Sequence, residues 1–165
     1  MNTLMELVEV YRLPWLLLAL VSWGILFVYQ GKRSFWQGLP LGIWTSVVGG
    51  VLENFFVKHK FWAEEYILVK IGQIDLFVII GPFLVIGWML IRHLPEQPIG
   101  RILAVFSWSM FATFVEYVAI KLGFLSYEPG RWTYLLSIMA YSLALFSTLG
   151  VYFAFLSDRF SCPYK

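Results

Sequence analysis

Apolar residues fall into five long runs along the chain, at 13–29, 38–57, 67–91, 99–122 and 132–156, with the polar residues gathered between them. Each run approaches or exceeds ~17 residues without the period-two alternation of a half-buried strand, so each reads as a helix. At ~1.5 Å per residue such helices reach across roughly 30 Å of hydrocarbon, the first run only just. The separating segments, GKRSFWQG, KHKFWAEEY, RHLPEQPIGR and SYEPGR, mix charge with glycine, proline or aromatic rings. Trp36, Trp62, Tyr66, Tyr127 and Trp132 stand at run boundaries, where an amphipathic ring sits at headgroup depth. The pattern predicts an all-α fold, a single integral membrane domain over 1–165 built as a bundle of five transmembrane helices.

The 165 residues are 60% hydrophobic, 19% aromatic and 13% charged, against about 25% charged in soluble domains. A bilayer is therefore the expected surrounding. With a net charge of +2 spread over the loops, the chain offers no nucleic-acid surface and no polybasic tail. The single cysteine, Cys162, can form no internal disulfide. Glu6 and Glu9 precede the first run where a cleavable signal peptide would be basic, so the first helix is expected to stay. With no Arg-rich presequence either, the bacterial plasma membrane is the expected location. Lysine and arginine divide evenly between the two sides. Arg12 before the first run, against Lys32 and Arg33 after it, favours a cytoplasmic C-terminus.

An offset of 63 residues aligns ENFFVKHKFWAEE with EYVAIKLGFLSYE, pairing Glu53 with Glu116, Lys58 with Lys121, Phe61 with Phe124 and Glu65 with Glu128. Upstream, Ser46 pairs with Ser109, and Gly49 and Gly50 with Ala112 and Thr113. Both helices thus carry Ser, small, small, Glu at i, i+3, i+4, i+7, which is one helix face. Small residues allow close helix approach in lipid, so these faces are expected to point inward. The arrangement predicted is one helix plus a tandem two-helix repeat, whose copies share an orientation about an axis along the membrane normal.

Three acids fall inside the runs: Glu53, Asp75 and Glu116. Charge at bilayer depth is costly unless paired, protonated or wetted, so each marks a place to look for function. Each stands five residues on the membrane side of a lysine (Lys58, Lys70, Lys121), which on a helix puts all three about 7–8 Å below one interface. The lysines can snorkel outward while the acids face the bundle. Asn54, Gln73, Ser46, Ser109, Thr113 and Tyr117 are the hydrogen-bonding side chains nearest in register. The expectation is a carboxylate-lined polar pocket, with Glu53, Asp75, Glu116, Asn54, Gln73, Ser46, Ser109 and Tyr117 as ligand-binding residues. The competing reading is a packing network in which each acid pairs with a basic or polar neighbour.

His59 and His93 lie in loops on opposite sides, too far apart for one metal site, and Pro82 after Gly81 predicts a kink in the third helix. No motif for a nucleotide, cofactor, zinc ion or catalytic serine is present. The stretches VLENFFV, GQIDLFVIIGP and FVEYVAIKLGFLSYEPGRWTYL resemble a group of small five-span membrane proteins of Gram-positive spore-forming bacteria, which implies the membrane fold and no activity. Glu116, Ala119 and Gly123 also resemble a pattern in membrane-bound lycopene cyclases, with a departure at Phe124 where a tryptophan is expected nearby. That likeness implies an acid role for Glu53 and Glu116.

The leading expectation is a non-enzymatic membrane protein binding a small ligand, a lipid or a partner helix. Two others stand beside it. One is a proton- or cation-coupled transporter working as a homo-oligomer, and the other an isoprenoid- or lipid-modifying enzyme with an intramembrane glutamate as acid.

Overall fold

The computed structural model describes residues 13–29 and 32–157. Glu6, Glu9, Arg12, Arg159, Cys162 and Lys165 lie outside the described residues, as do the side chains of Lys32 and Arg33. The protein is mostly helical. Its helices are α1 (Pro14–Tyr29), α2 (Lys32–Lys58), α3 (Leu76–Arg92), α4 (Pro98–Lys121) and α5 (Tyr134–Leu156). Three of them, α2 over Gly38–Lys58, α4 and α5, are long and apolar enough to cross a membrane, while α1 and α3 are shorter apolar helices.

Four short strands depart from the all-α expectation: β1 (Trp62–Glu64), β2 (Lys70–Ile71), β3 (Ile74–Asp75) and β4 (Leu125–Tyr127). The third helix accordingly begins at Leu76 rather than at Ile67. Gly72 (φ +66°) turns the chain between β2 and β3, and the Asp75 carboxylate caps α3 by accepting the Phe77 N–H at 2.9 Å. Lys70 and Asp75 face each other across that hairpin, so their five-residue separation is not a helical rise.

The offset of 63 residues reappears in the backbone. Both α2 and α4 end in the same reverse turn: Phe61 N–H donates to Phe56 O at 3.0 Å, and Phe124 N–H to Ala119 O at 2.9 Å. Lys60 (φ 58°) and Gly123 (φ 77°) occupy the left-handed position of each turn. The strands that follow, β1 and β4, pair antiparallel with Ala63 opposite Ser126 at the centre. Glu65 N–H donates to Phe124 O, and its counterpart Glu128 N–H donates to Phe61 O. Residues related by the repeat thus meet across a local two-fold axis through the middle of the ladder. Helix contacts follow it too: Ser46 donates to Ile79 O at 2.9 Å, and in the second unit Ser142 donates to Ser109 at 3.0 Å.

The helix α3 carries a π-helical stretch over Ile79–Phe83 that contains Pro82. Side chains meet two carbonyls there, Ser46 on Ile79 O and Trp23 Nε1 on Ile80 O, both at 2.9 Å. Against this stretch lies α1, close enough that a Cβ on Gly81 would stand 2.6 Å from Ala19 Cα. Gly81→Ala is expected to destabilise the protein in detergent by on the order of 1–3 kcal/mol through overpacking. Gly150→Ala, with nothing within 4 Å, should be neutral or slightly stabilising. Thermal unfolding of the two variants side by side checks this.

Candidate functional site

The ladder of β1 and β4 lies where α2 and α4 end, and β1 carries a third acid to theirs. In β1 the alternation is buried, exposed, buried, so Trp62 and Glu64 share the inward face. Trp62 Nε1 donates to Glu53 Oε1 at 3.1 Å. Glu64 Oε2 accepts the Asp75 N–H at 3.0 Å, and its carboxyl lies near that of Glu53 in the cavity wall. Glu116 projects from α4 toward the same place, where the hydroxyls of Ser137 and Tyr127 reach it. Tyr127 and Ser137 are themselves bonded at 2.8 Å, and Trp132 Nε1 donates to Ser137 at 2.8 Å. Glu53, Glu64 and Glu116 are 7%, 8% and 6% exposed. Glu116 Oε2 has no hydrogen-bond partner among the described residues.

These acids stand at one end of a cavity of about 490 Å³, inside the ~300–1,000 Å³ range of small-molecule sites. Its walls come from α1 (Trp15, Leu18, Val21, Ile25), α3 (Val78, Pro82, Ile86, Met89) and α4 (Trp108, Phe111, Val115, Ala119), with Leu125 and Tyr141 beside the acids. From Ser107 to Ala119 it follows α4 for about 18 Å at ~1.5 Å per residue. Val21, Ile25 and Phe111 line it yet are 59%, 42% and 47% exposed, so its mouth lies between α1 and α4. The rim is mostly apolar, with Ser107 exposed in it, and among the described residues no lysine, arginine or histidine lines the cavity.

A break in the internal symmetry makes this space. The two-fold mate of the cavity, lined by Gly49, Leu52, Phe56 and Trp62 and sharing Glu53, Glu116 and Tyr141, has a volume of only about 20 Å³. There Phe56, Trp62 and Trp132 pack ring on ring, with centroids 4.5–5.0 Å apart. The counterparts of Phe56 and Trp62 are Ala119 and Leu125, which leave the other half open. On the closed side α2 packs along α5, with Thr45 and Thr148 bonded at 2.8 Å, whereas α3 and α4 touch only sparsely.

Of the expected ligand-binding residues, the structure brings Glu53 and Glu116 into the cavity wall. Asp75 is fully buried one step behind, held by the N–H groups of Leu68, Val69 and Phe77, and acts on the cavity only by fixing Glu64. Asn54 accepts the Gln73 N–H at 2.8 Å and steadies the hairpin away from the cavity. Ser46 and Ser109 make helix–helix hydrogen bonds, and Thr113 bonds back to Ser109 O. Tyr117 is exposed, beside Tyr134 and Lys121. Sequence reasoning missed Glu64 and Tyr141. Glu64 carried no local sequence signal, standing in a segment read as an interfacial loop, and its inward face shows only in the burial alternation of β1.

Comparisons with protein-family models, with curated proteins and with solved structures find no match to this chain.

Burial pushes the Glu64 carboxyl up to about 7 from its usual 4.5, with Asp75 adding repulsion, against the lowering effect of the Asp75 N–H and of Glu53. Because the folded state holds this proton more tightly than the unfolded chain, the associated stability is full below pH 4.5 and is lost as pH rises through 7. The difference amounts to at most about 3 kcal/mol. The unfolding temperature in detergent is expected to fall between pH 5 and pH 8, and Glu64→Gln to flatten that slope.

Proposed function

We propose that this protein is a membrane protein that takes a single elongated apolar molecule from the bilayer into the cavity and holds its polar end at Glu53, Glu64 and Glu116. The observation that carries the reading is the union of a lipid-facing apolar mouth with a carboxylate end, in one cavity sized for a small molecule. Among the described residues the cavity wall has no basic side chain, which speaks against the packing network as the whole explanation, since the acids gain no counter-charge from it. In this reading all five helices cross a bacterial plasma membrane, the short α1 and α3 included, with the C-terminus cytoplasmic and the β1–β4 ladder on the outer side.

A long-chain alcohol carrying a photoreactive diazirine should label α1 and α4 at residues that line the cavity. Ala119→Phe combined with Leu125→Trp gives the open half the side chains of the closed half and is expected to cut that labelling by about tenfold, the loss when roughly 1.4 kcal/mol of binding is removed. Equal labelling of wild type and a folded double variant, or labelling scattered over the lipid-facing surface, would sink the reading.

The same cavity supports a second reading, catalysis on an isoprenoid or lipid chain with Glu53 or Glu116 as proton donor. Recovery of the captured molecule unchanged, by mass spectrometry after incubation, separates binding from turnover.

The crossing number has its own test. In a Cys162→Ser background, single cysteines at Lys60 and Arg131 are expected to react with an impermeant thiol reagent on intact cells. Cysteines at His93 and Glu96 should react only after lysis.

A further inference from the structure

The polar end of the cavity is one-sided in its chemistry. Three carboxyl groups converge there from α2, β1 and α4, with the Tyr141 side chain beside them, while the other wall hydroxyls, those of Ser22 and Ser107, lie further along the cavity. The donors that the chain directs at the acids are few: the Trp62 indole, the Asp75 N–H, and the one proton left over from the bonded Ser137–Tyr127 hydroxyl pair. After these, Glu116 Oε2 and Glu64 Oε1 have no partner among the described residues, in side chains only 6% and 8% exposed. Leaving a buried acceptor unpaired is costly, and more so for a charged one.

Resting on the reading of the cavity as a lipid-accessible binding site, we infer that its natural occupant is a cationic amphiphile, a long apolar chain ending in a protonated primary amine. The chemistry of the walls selects this class among those that fit the space. An anionic head, carboxylate or phosphate, would stand against three acids and, among the described residues, no cation, where repulsion adds to desolvation. A hydroxyl head offers one donor, enough for only one of the two unmet oxygens, Glu116 Oε2 and Glu64 Oε1. An ammonium offers three donors and a full positive charge, so it can meet Glu116, Glu53 and Glu64 together. The apolar rim at Val21, Ile25 and Phe111 suits the chain, which would lie between α1 and α4 with its head toward the β1–β4 ladder.

The test is competition for photolabelling of the full-length protein in nanodiscs, with the diazirine alcohol as reporter and unlabelled dodecylamine, dodecanol and dodecanoate as competitors. Dodecylamine is expected to compete at roughly tenfold lower concentration than dodecanol, as the gain from charge-assisted hydrogen bonds implies, with dodecanoate weakest. In Glu116→Gln the amine and the alcohol should converge. Glu64→Gln, which keeps the Asp75 N–H partner, serves the same purpose where Glu116→Gln does not fold. Equal competition by all three in wild type, or an amine preference that survives in both variants, overturns the inference and leaves the binding site standing. Failure of the reporter to label the cavity at all overturns the site itself.

Discussion

The antiparallel pairing of β1 with β4 is the contact on which the arrangement depends. Two short strands of three residues each contribute little stability alone, and their value is positional. Because Ala63 faces Ser126, each helix-to-strand turn is placed opposite its counterpart. The inward faces of α2 and α4 then converge, with Glu53 and Glu116 one turn and a half back from the helix ends. The period-two alternation of β1 adds Glu64 to the same spot. An acid from each of three elements is therefore brought together by one register.

Symmetry alone would produce two equal cavities or none. Two substitutions between the repeat units decide the outcome: Phe56 against Ala119, and Trp62 against Leu125. On one side the larger pair meets Trp132 and closes the space, letting α2 lie along α5. On the other the smaller pair leaves α3 and α4 apart, and α1, which has no counterpart in the repeat, covers part of the gap through its contact with Gly81. The open half is a cavity of about 490 Å³, against about 20 Å³ on the closed side.

Much of this was legible in the chain, for physical reasons that differ by element. The helices α2 and α4 end at Lys58 and Lys121 because the apolar runs end there and the reverse turns follow, and the offset that aligned Glu53 with Glu116 is the register of the ladder itself. The start of α3 was not legible. The segment from Ile67 to Asp75 is apolar enough to extend a helix, and only the positive φ of Gly72 and the cap made by Asp75 stop it. Asp75 was expected in the pocket on helical spacing and is instead saturated by backbone donors. Glu64 went unseen because a charged residue between two spans reads as solvated, and no local pattern reveals that a strand from 63 residues away will fold it inward.

The missed residue changes the electrostatics of the site. With Glu53 and Glu116 alone, one proton or one polar partner could neutralise the pair, and the packing network would suffice. Glu64 raises the acid count to three while consuming a backbone donor on only one oxygen, and it brings Asp75 close enough to add repulsion. The Trp62 indole meets one oxygen of Glu53, and the bonded hydroxyls of Ser137 and Tyr127 lie beside Glu116. What remains among the described residues is a surplus of acceptors at one end of an apolar cavity, with no basic side chain in the wall to balance it. In a low-dielectric interior such a surplus is met by a proton or by a cation from outside the chain, and the second is what the proposed amine occupant would supply.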